Sequence, residues 1–149
     1  MTSSQTADRP VPASRDTFRA FSTLPTRWMD VDIYGHVNNV QYLSFFDTAV
    51  NGWYVKQGLL DPRTSRSVFL VVETGCHYFQ ELVFPETITA GLRISILGSS
   101  SVVYSIGLFK EDGEATAALG RFVHVLVDRE TRKPTPIEGR LRNKLTSLL

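Results

Sequence analysis

The sequence predicts an α+β domain in which one antiparallel sheet of about five strands curves around a single long helix. Three observations carry this. An apolar stripe at three- and four-residue spacing runs from about Asn39 to Gln57. Downstream of it the period changes to two, in consecutive segments joined largely by tight turns, as in neighbouring antiparallel strands. Helix and strands are segregated along the chain, and the stripe has one obvious place to be buried, the dry face of the sheet.

The elements follow in order. Residues 1–16, "MTSSQTADRPVPASRD", are polar with two prolines and read as a flexible tail before a single domain over 17–149. From Phe18 to Arg27 a short extended segment is expected, with Pro25 marking a sheet edge or a strand end. The long helix follows, its stripe built from Val40, Leu43, Phe46, Val50 and Trp53. Asn38 is its N-cap, with Gln41 three places on in a capping-box-like pattern, and Gly58 closes it in a left-handed conformation.

Val68 to Gln80 is a strand candidate. In "TITAGLRISIL", Ile88, Ala90, Leu92, Ile94 and Ile96 alternate with polar or small residues, giving a strand with one dry face. "GSSS" turns into a strand whose Val102, Tyr104, Ile106 and Leu108 share a face, and "EDGE" makes the next turn. Ala115 to Val127 reads as a strand with Ala117, Leu119, Val123, Val125 and Val127 on one side. On that reading His124, like His77, lies on the far face, and Cys76 packs as a small apolar residue. "TPIE" predicts a terminal helix, with Thr135 as cap, Pro136 in its first position and Glu138 reaching back. Ile137, Leu141, Leu145 and Leu148 form its stripe.

Composition narrows the function classes. A chain of 149 residues with net charge +1 presents no global field for nucleic acid. No apolar run is long enough to span a membrane, and no apolar segment of a secretory signal stands at the N-terminus. The single cysteine forms neither an intrachain disulfide nor a cysteine-rich metal site, which fits a reducing cytoplasm. No histidine or acid falls at a metal-ligand spacing, so no metal is expected. Six basic residues between Arg129 and Lys144, against Glu130 and Glu138, form a basic cluster that sequence does not assign to a ligand.

The stretch "WMDVDIYGHVNN", residues 28–39, concentrates polar and turn-forming side chains just before the helix. The first N–H groups of a helix lack intrahelical partners and sit at the positive end of its dipole. With Asn38 as cap, the Asn39 N–H is such a donor, suited to a polarised carbonyl. Asp32 lies in the loop that feeds the helix, with Gly35 supplying an unusual backbone angle. A carboxylate and an oxyanion donor can thus meet across one bound carbonyl, and a carboxylate needs no base to activate it at neutral pH. Spacing alone leaves Asp32 as a turn former or a catalytic group, and His36 as a loop hydrogen-bonding residue or a base. Asp30 reads as solvated or as tying the loop down.

"DVDIYGHVNNVQYLSFFDTA" resembles the signature of hotdog-fold thioesterases of the 4-hydroxybenzoyl-CoA thioesterase type: D-x-D-x-x-G-H-V-N-N, then Tyr42, Phe46 and an acid at Asp47. The likeness extends over about residues 18–145. It implies an acyl-CoA thioesterase with Asp32 as nucleophile or general base. The backbone N–H of Asn39 would polarise the thioester oxygen, and Tyr34, Gly35, His36 and Asn38 would shape the substrate pocket. It also implies a homodimer or homotetramer with acyl-CoA at the subunit interface, and no cofactor beyond the coenzyme A of the substrate. Many relatives carry an arginine shortly after the helix acid, where this chain runs Asp47, Thr48, Ala49, Val50. Asp47 is a second candidate carboxylate, since another thioesterase branch places its acid on the central helix. The competing functions are a hotdog hydratase or dehydratase and a non-catalytic acyl-CoA-binding module.

Overall fold

The computed structural model describes residues 9–149. Five strands form one antiparallel sheet: β1 (Ala20–Pro25), β2 (Ser67–Tyr78), β3 (Thr87–Leu97), β4 (Ser101–Phe109) and β5 (Ala118–Asp128). Their spatial order is β1-β3-β4-β5-β2, so the first two strands in sequence take the two opposite edges. Pro25 ends β1 at one edge, where its missing N–H costs no ladder bond. The helix α1 (Asn39–Gln57) is held against the concave face, and α2 (Gly139–Thr146) closes the chain. This is the architecture the sequence predicts.

The ends of α1 match expectation. Gly58 is left-handed at φ 64°, and its N–H donates back into the last turn. At the other end the Asn38 side chain accepts from Val40 N–H at 3.0 Å, while Gln41 gives its N–H to the Asn38 carbonyl. The cap therefore reaches the second helical residue rather than closing a reciprocal box with Gln41. The buried stripe is also rotated from the expected one. Tyr42, Phe45, Phe46, Ala49, Val50 and Tyr54 face the sheet, whereas Val40 is 65% exposed. Val50 is fully buried in the core, so this position adds nothing to a site in this chain.

On the sheet, Ile88, Ala90, Leu92 and Ile94 are buried as predicted, but Ile96 is exposed. A bulge between Ile94 and Ile96 shifts the register and turns that side chain out. Strand β5 departs from the expected face: Ala117 just before it and Val127 near its end are buried as predicted, but Leu119, Val123 and Val125 are only partly buried. Its buried side is Ala118, Gly120, Phe122, His124 and Leu126. The reason lies across the interface: Phe46 of α1 presses on Gly120, where an added Cβ would lie 2.5 Å from the ring. We expect Gly120→Ala to cost about 1–3 kcal/mol by overpacking. Urea denaturation should recover most of that loss when Phe46→Leu is added, because the two positions share one contact.

His124 is accordingly in the core, 2% exposed, against Tyr104, Phe69 and Phe122, and neither ring nitrogen has a hydrogen-bond partner among the described residues. Burial pushes its pKa down to about 4, opposed weakly by the Asp47 carboxylate. In the unfolded chain the ring titrates near its ordinary value of ~6.5. The neutral ring therefore favours the folded state above that pH, and the advantage fades as pH falls from about 6.5 to about 4. The loss should reach about 3 kcal/mol across that window, read from urea midpoints, and His124→Phe should flatten it.

The N-terminal segment is less loose than predicted. Residues 1–8 lie outside the described residues, but Ala13 to Thr17 are docked on the convex face. Arg15 donates to the carbonyls of Gly113 at 2.7 Å and Lys110 at 3.1 Å and covers the Phe109 ring. The next side chain inward, Phe18, lies over Gly91 and Gly107, which leave room for its ring.

The terminal helix starts later than "TPIE" suggests. Thr135 and Ile137 instead donate to the carbonyls of Leu126 and Ser99 as extended chain beside β5. Gly139, at φ 63°, turns into α2, whose N-cap Glu138 makes no side-chain cap bond. Bonding to the sheet outcompetes an early first turn. Ile137, Leu145 and Leu148 are buried all the same.

Candidate functional site

The loop before α1 is built on Asp30. Its carboxylate accepts from the Arg27 N–H at 2.7 Å and pairs with the Arg27 guanidinium at 2.8 Å, and its carbonyl accepts the Asn38 N–H. Asp30 is fully buried, so of its two expected roles it ties the loop down and is not solvated. Val31 and Val37 then form a bridge, and Val37 N–H donates to Leu82 at 2.7 Å. Those contacts fix both ends of the five-residue tip 32–36 and aim the chain into the helix.

Within the tip, Asp32 organises the turn. Its N–H donates to the His36 carbonyl, its own carbonyl accepts from Gly35 N–H, and its Oδ1 accepts from Tyr34 N–H at 2.9 Å. Gly35 has φ 83°, the left-handed angle that the sequence called for. Asp32 is thus a turn former, yet its second carboxylate oxygen has no protein partner among the described residues. The two readings of Asp32 are compatible.

His36 places Nδ1 3.2 Å from the Val37 carbonyl and Nε2 3.8 Å from Glu81, and its ring stacks beside Tyr34. Asn38 is committed to capping. The Asn39 N–H, first of the 19-residue helix, donates to no protein acceptor among the described residues. It is a free donor at the positive end of a long dipole.

The single chain distributes these groups over two adjoining clefts. Asp32, Tyr34 and Asn38 line one of about 510 Å³, with Trp28, Val31 and Ile33. His36 and Asn39 line the other, about 330 Å³, with Tyr42, Tyr78, Gln80 and Glu81. The lining of the first is strongly apolar and open: Trp28, Ile33 and Tyr34 are all more than 70% exposed.

Some members of the second cleft were not singled out by sequence. Tyr78, on the edge strand β2, donates to the Asn39 carbonyl at 3.2 Å and packs edge-on to Tyr42. Tyr42 accepts from Leu82 N–H, which anchors the far wall. Desolvation raises both phenols, Tyr78 to about 12, and the neighbouring Cys76 thiol to about 11. The tyrosines are therefore neutral, and the Cys76 thiol is held in its protonated form. Nothing in the spacing of β2 marks Tyr78, because strand pairing alone brings it to the helix start.

Asp47, the second candidate acid, is exposed two turns along the helix and accepts from Asn51 at 3.0 Å. His77 is exposed on the outer side of β2. Three members of the basic cluster are tied up by carbonyls: Arg129 to Ser65, Arg140 to Gln57, and Arg142 to Gly98. Among the described residues no group of acids, histidines and cysteine is placed to hold a metal ion, and no helix is long and apolar enough to cross a membrane.

The family model of the thioesterase-like superfamily matches residues 26–145. The chain is 45% identical to the PA5185 protein of Pseudomonas aeruginosa, with a TM-score of 0.89 over 93% of this chain and 96% of that one. It is 28% identical to the long-chain acyl-CoA thioesterase FadM of Escherichia coli, over 85% of this chain and 96% of FadM. The DHNA-CoA thioesterase of Staphylococcus aureus shares the hotdog fold, at 18% identity and a TM-score of 0.75, covering 86% of this chain and 87% of its own.

Proposed function

The chain belongs to the thioesterase-like superfamily and is a thioester hydrolase; from that premise we propose that it hydrolyses acyl-CoA to a free carboxylic acid and coenzyme A, with Asp32 and the Asn39 N–H as its catalytic pair. The observation that carries this reading is the Asn39 donor, unpartnered among the described residues, beside a loop tip whose acid, Asp32, keeps one oxygen without a partner among them. A thioester carbonyl oxygen accepts from Asn39 N–H, and the donor strengthens its hold as negative charge gathers there. Asp32 then attacks the carbonyl carbon or takes a proton from the attacking water. The tetrahedral intermediate collapses with loss of the coenzyme A thiolate: where water attacked, this leaves the free acid, and where Asp32 attacked it leaves an acyl anhydride on Asp32, which water then cleaves to the free acid and the regenerated carboxylate. Protein and water supply every group required, so the proposal includes no cofactor.

Tyr34, Gly35, His36 and Asn38 serve as the walls and frame of the pocket: Gly35 by its turn, Asn38 by capping the helix, Tyr34 and His36 by their stacked rings. Tyr78 holds the Asn39 carbonyl and so the orientation of that first peptide.

We assign a homo-oligomer, a dimer or a pair of dimers, as the working form. Strand β2 is an uncovered edge, with Leu70, Val71, Val72 and Tyr78 exposed. The two clefts of one chain also need further walls to enclose a thioester. Light scattering at micromolar concentration tests the assembly. The reducing cytoplasm remains the expected compartment.

Release of thiol from a panel of aromatic, short-chain and long-chain acyl-CoAs, followed with a disulfide reagent, tests the reaction. Turnover of at least one class is the expected result. Tight acyl-CoA binding without thiol release would identify a binding module instead, and water addition to an enoyl-CoA a hydratase. Single turnover in heavy-oxygen water tests the nucleophilic role of Asp32: label entering the Asp32 carboxylate marks attack by Asp32, and trapping of an acyl-enzyme on rapid quenching marks the same route when water cleaves the anhydride at the acyl carbon.

A further inference from the structure

On the opposite side of α1 from β2, the helix and the β1 edge of the sheet do not close together. A groove of about 530 Å³ remains between them, with Phe21, Leu24, Trp53 and Leu92 among its lining side chains. Its depth comes from small side chains facing one another, Ala49 and Gly52 on the helix against Ala20 and Ala90 on the sheet. Trp53 supplies an aromatic wall and Lys56 a cation at the end of the helix. Lys56 forms no ion pair with a carboxylate among the described residues.

Gly52 makes the groove informative. Glycine inside a helix costs about 1 kcal/mol relative to alanine. At Gly91, Gly107 and Gly120 a packed ring explains the missing side chain, with an added Cβ landing 2.7 Å or less from it. At Gly52 an added Cβ would meet nothing within 4 Å. Packing among the described residues gives no reason for the glycine, which lines the groove.

An apolar trough that ends at an unpaired cation suits a ligand with a hydrocarbon tail and one anionic head. We propose that this groove binds a medium-chain fatty carboxylate, its tail along Ala49, Gly52 and Trp53 and its carboxylate at Lys56. The site is separate from the clefts at the start of α1, and it does not rest on their assigned chemistry.

Calorimetric titration of the full-length protein with decanoate and with decanol tests the assignment. At Gly52 a Cβ meets no neighbour and leucine is a good helix former, so Gly52→Leu should fold, with its longer side chain reaching into the groove, and thermal unfolding checks this. Decanoate should bind the parent and lose at least about tenfold in affinity to Gly52→Leu, while acyl-CoA turnover continues. Lys56→Gln should weaken decanoate and leave decanol unchanged. Decanoate binding that is absent in the parent, or equally tight in Gly52→Leu, overturns the proposal. So does a change of oligomeric state in Gly52→Leu, which would make the groove a contact between copies.

Discussion

Replacing Asp32 by asparagine is expected to lower kcat/KM for acyl-CoA by about 10³- to 10⁴-fold, or about 4–5 kcal/mol of transition-state stabilisation. The substitution keeps the side-chain oxygen that accepts the Tyr34 N–H, so the tip of the loop should hold its shape. It removes the negative charge, and with it both the nucleophile and the base. Most of the loss should fall on kcat, because the pocket walls and the Asn39 donor are retained. Thermal unfolding of the variant is the control, with a midpoint expected within a few degrees of the parent. A well-folded Asp32→Asn enzyme with parental turnover would remove Asp32 from the mechanism and pass the role to Asp47, the exposed acid two turns along the helix.

Asn39→Pro addresses the other half of the pair, because a backbone donor cannot be removed by trimming a side chain. Proline is well accommodated in the first position of a helix, where its missing N–H would have no intrahelical partner. The residue before it must be extended, and Asn38 already is, at φ −62° and ψ 139°. The variant should therefore fold, keep the Asn38 cap and lose one N–H. A loss of about 10²- to 10³-fold in kcat is expected, the usual consequence of deleting one oxyanion donor. Asn39→Ala, which keeps the N–H, should retain most activity. If the proline variant is as active as the alanine variant, the donor plays no part in the reaction.

The site was more legible than the sheet. Caps, left-handed glycines and loop acids act over a few residues, so "DIYGHVNN" and the resemblance it carries were enough to select Asp32, Gly35, Asn38 and Asn39. The structure gives Gly35 its positive φ, Asn38 its cap and Asn39 its free N–H. Tyr78 and Glu81 were not legible in that way. They arrive from strand pairing and packing between segments some 40 residues apart, and neither leaves a periodic trace.

Strand β5 shows the limit most clearly. Alternation separates the residues of its middle into two sets, but Leu119, Val123 and Val125 read as the drier set. Tertiary packing chose the other, because Phe46 needs the bare backbone of Gly120 beneath it. His124 went to the core as a consequence, with two ring nitrogens unpartnered among the described residues and a depressed pKa. On α1, in the same way, the sequence specified a helix from Asn39 to Gln57 but the concave sheet set its rotation, burying Tyr42 and Tyr54 in place of Val40.

By itself the sequence determined the α+β class, the bounds of the long helix, its cap and terminating glycine, and the loop that carries the acid. Each depends on neighbours within a turn or two, where propensity, capping and φ preference act directly. Tertiary structure alone decided which face of β5 is dry, the placement of β1 and β2 at opposite edges, the docking of Arg15 and Phe18 on the convex side, and the groove over Gly52. Those outcomes turn on whether distant surfaces fit at van der Waals distance, and hydropathy does not encode shape.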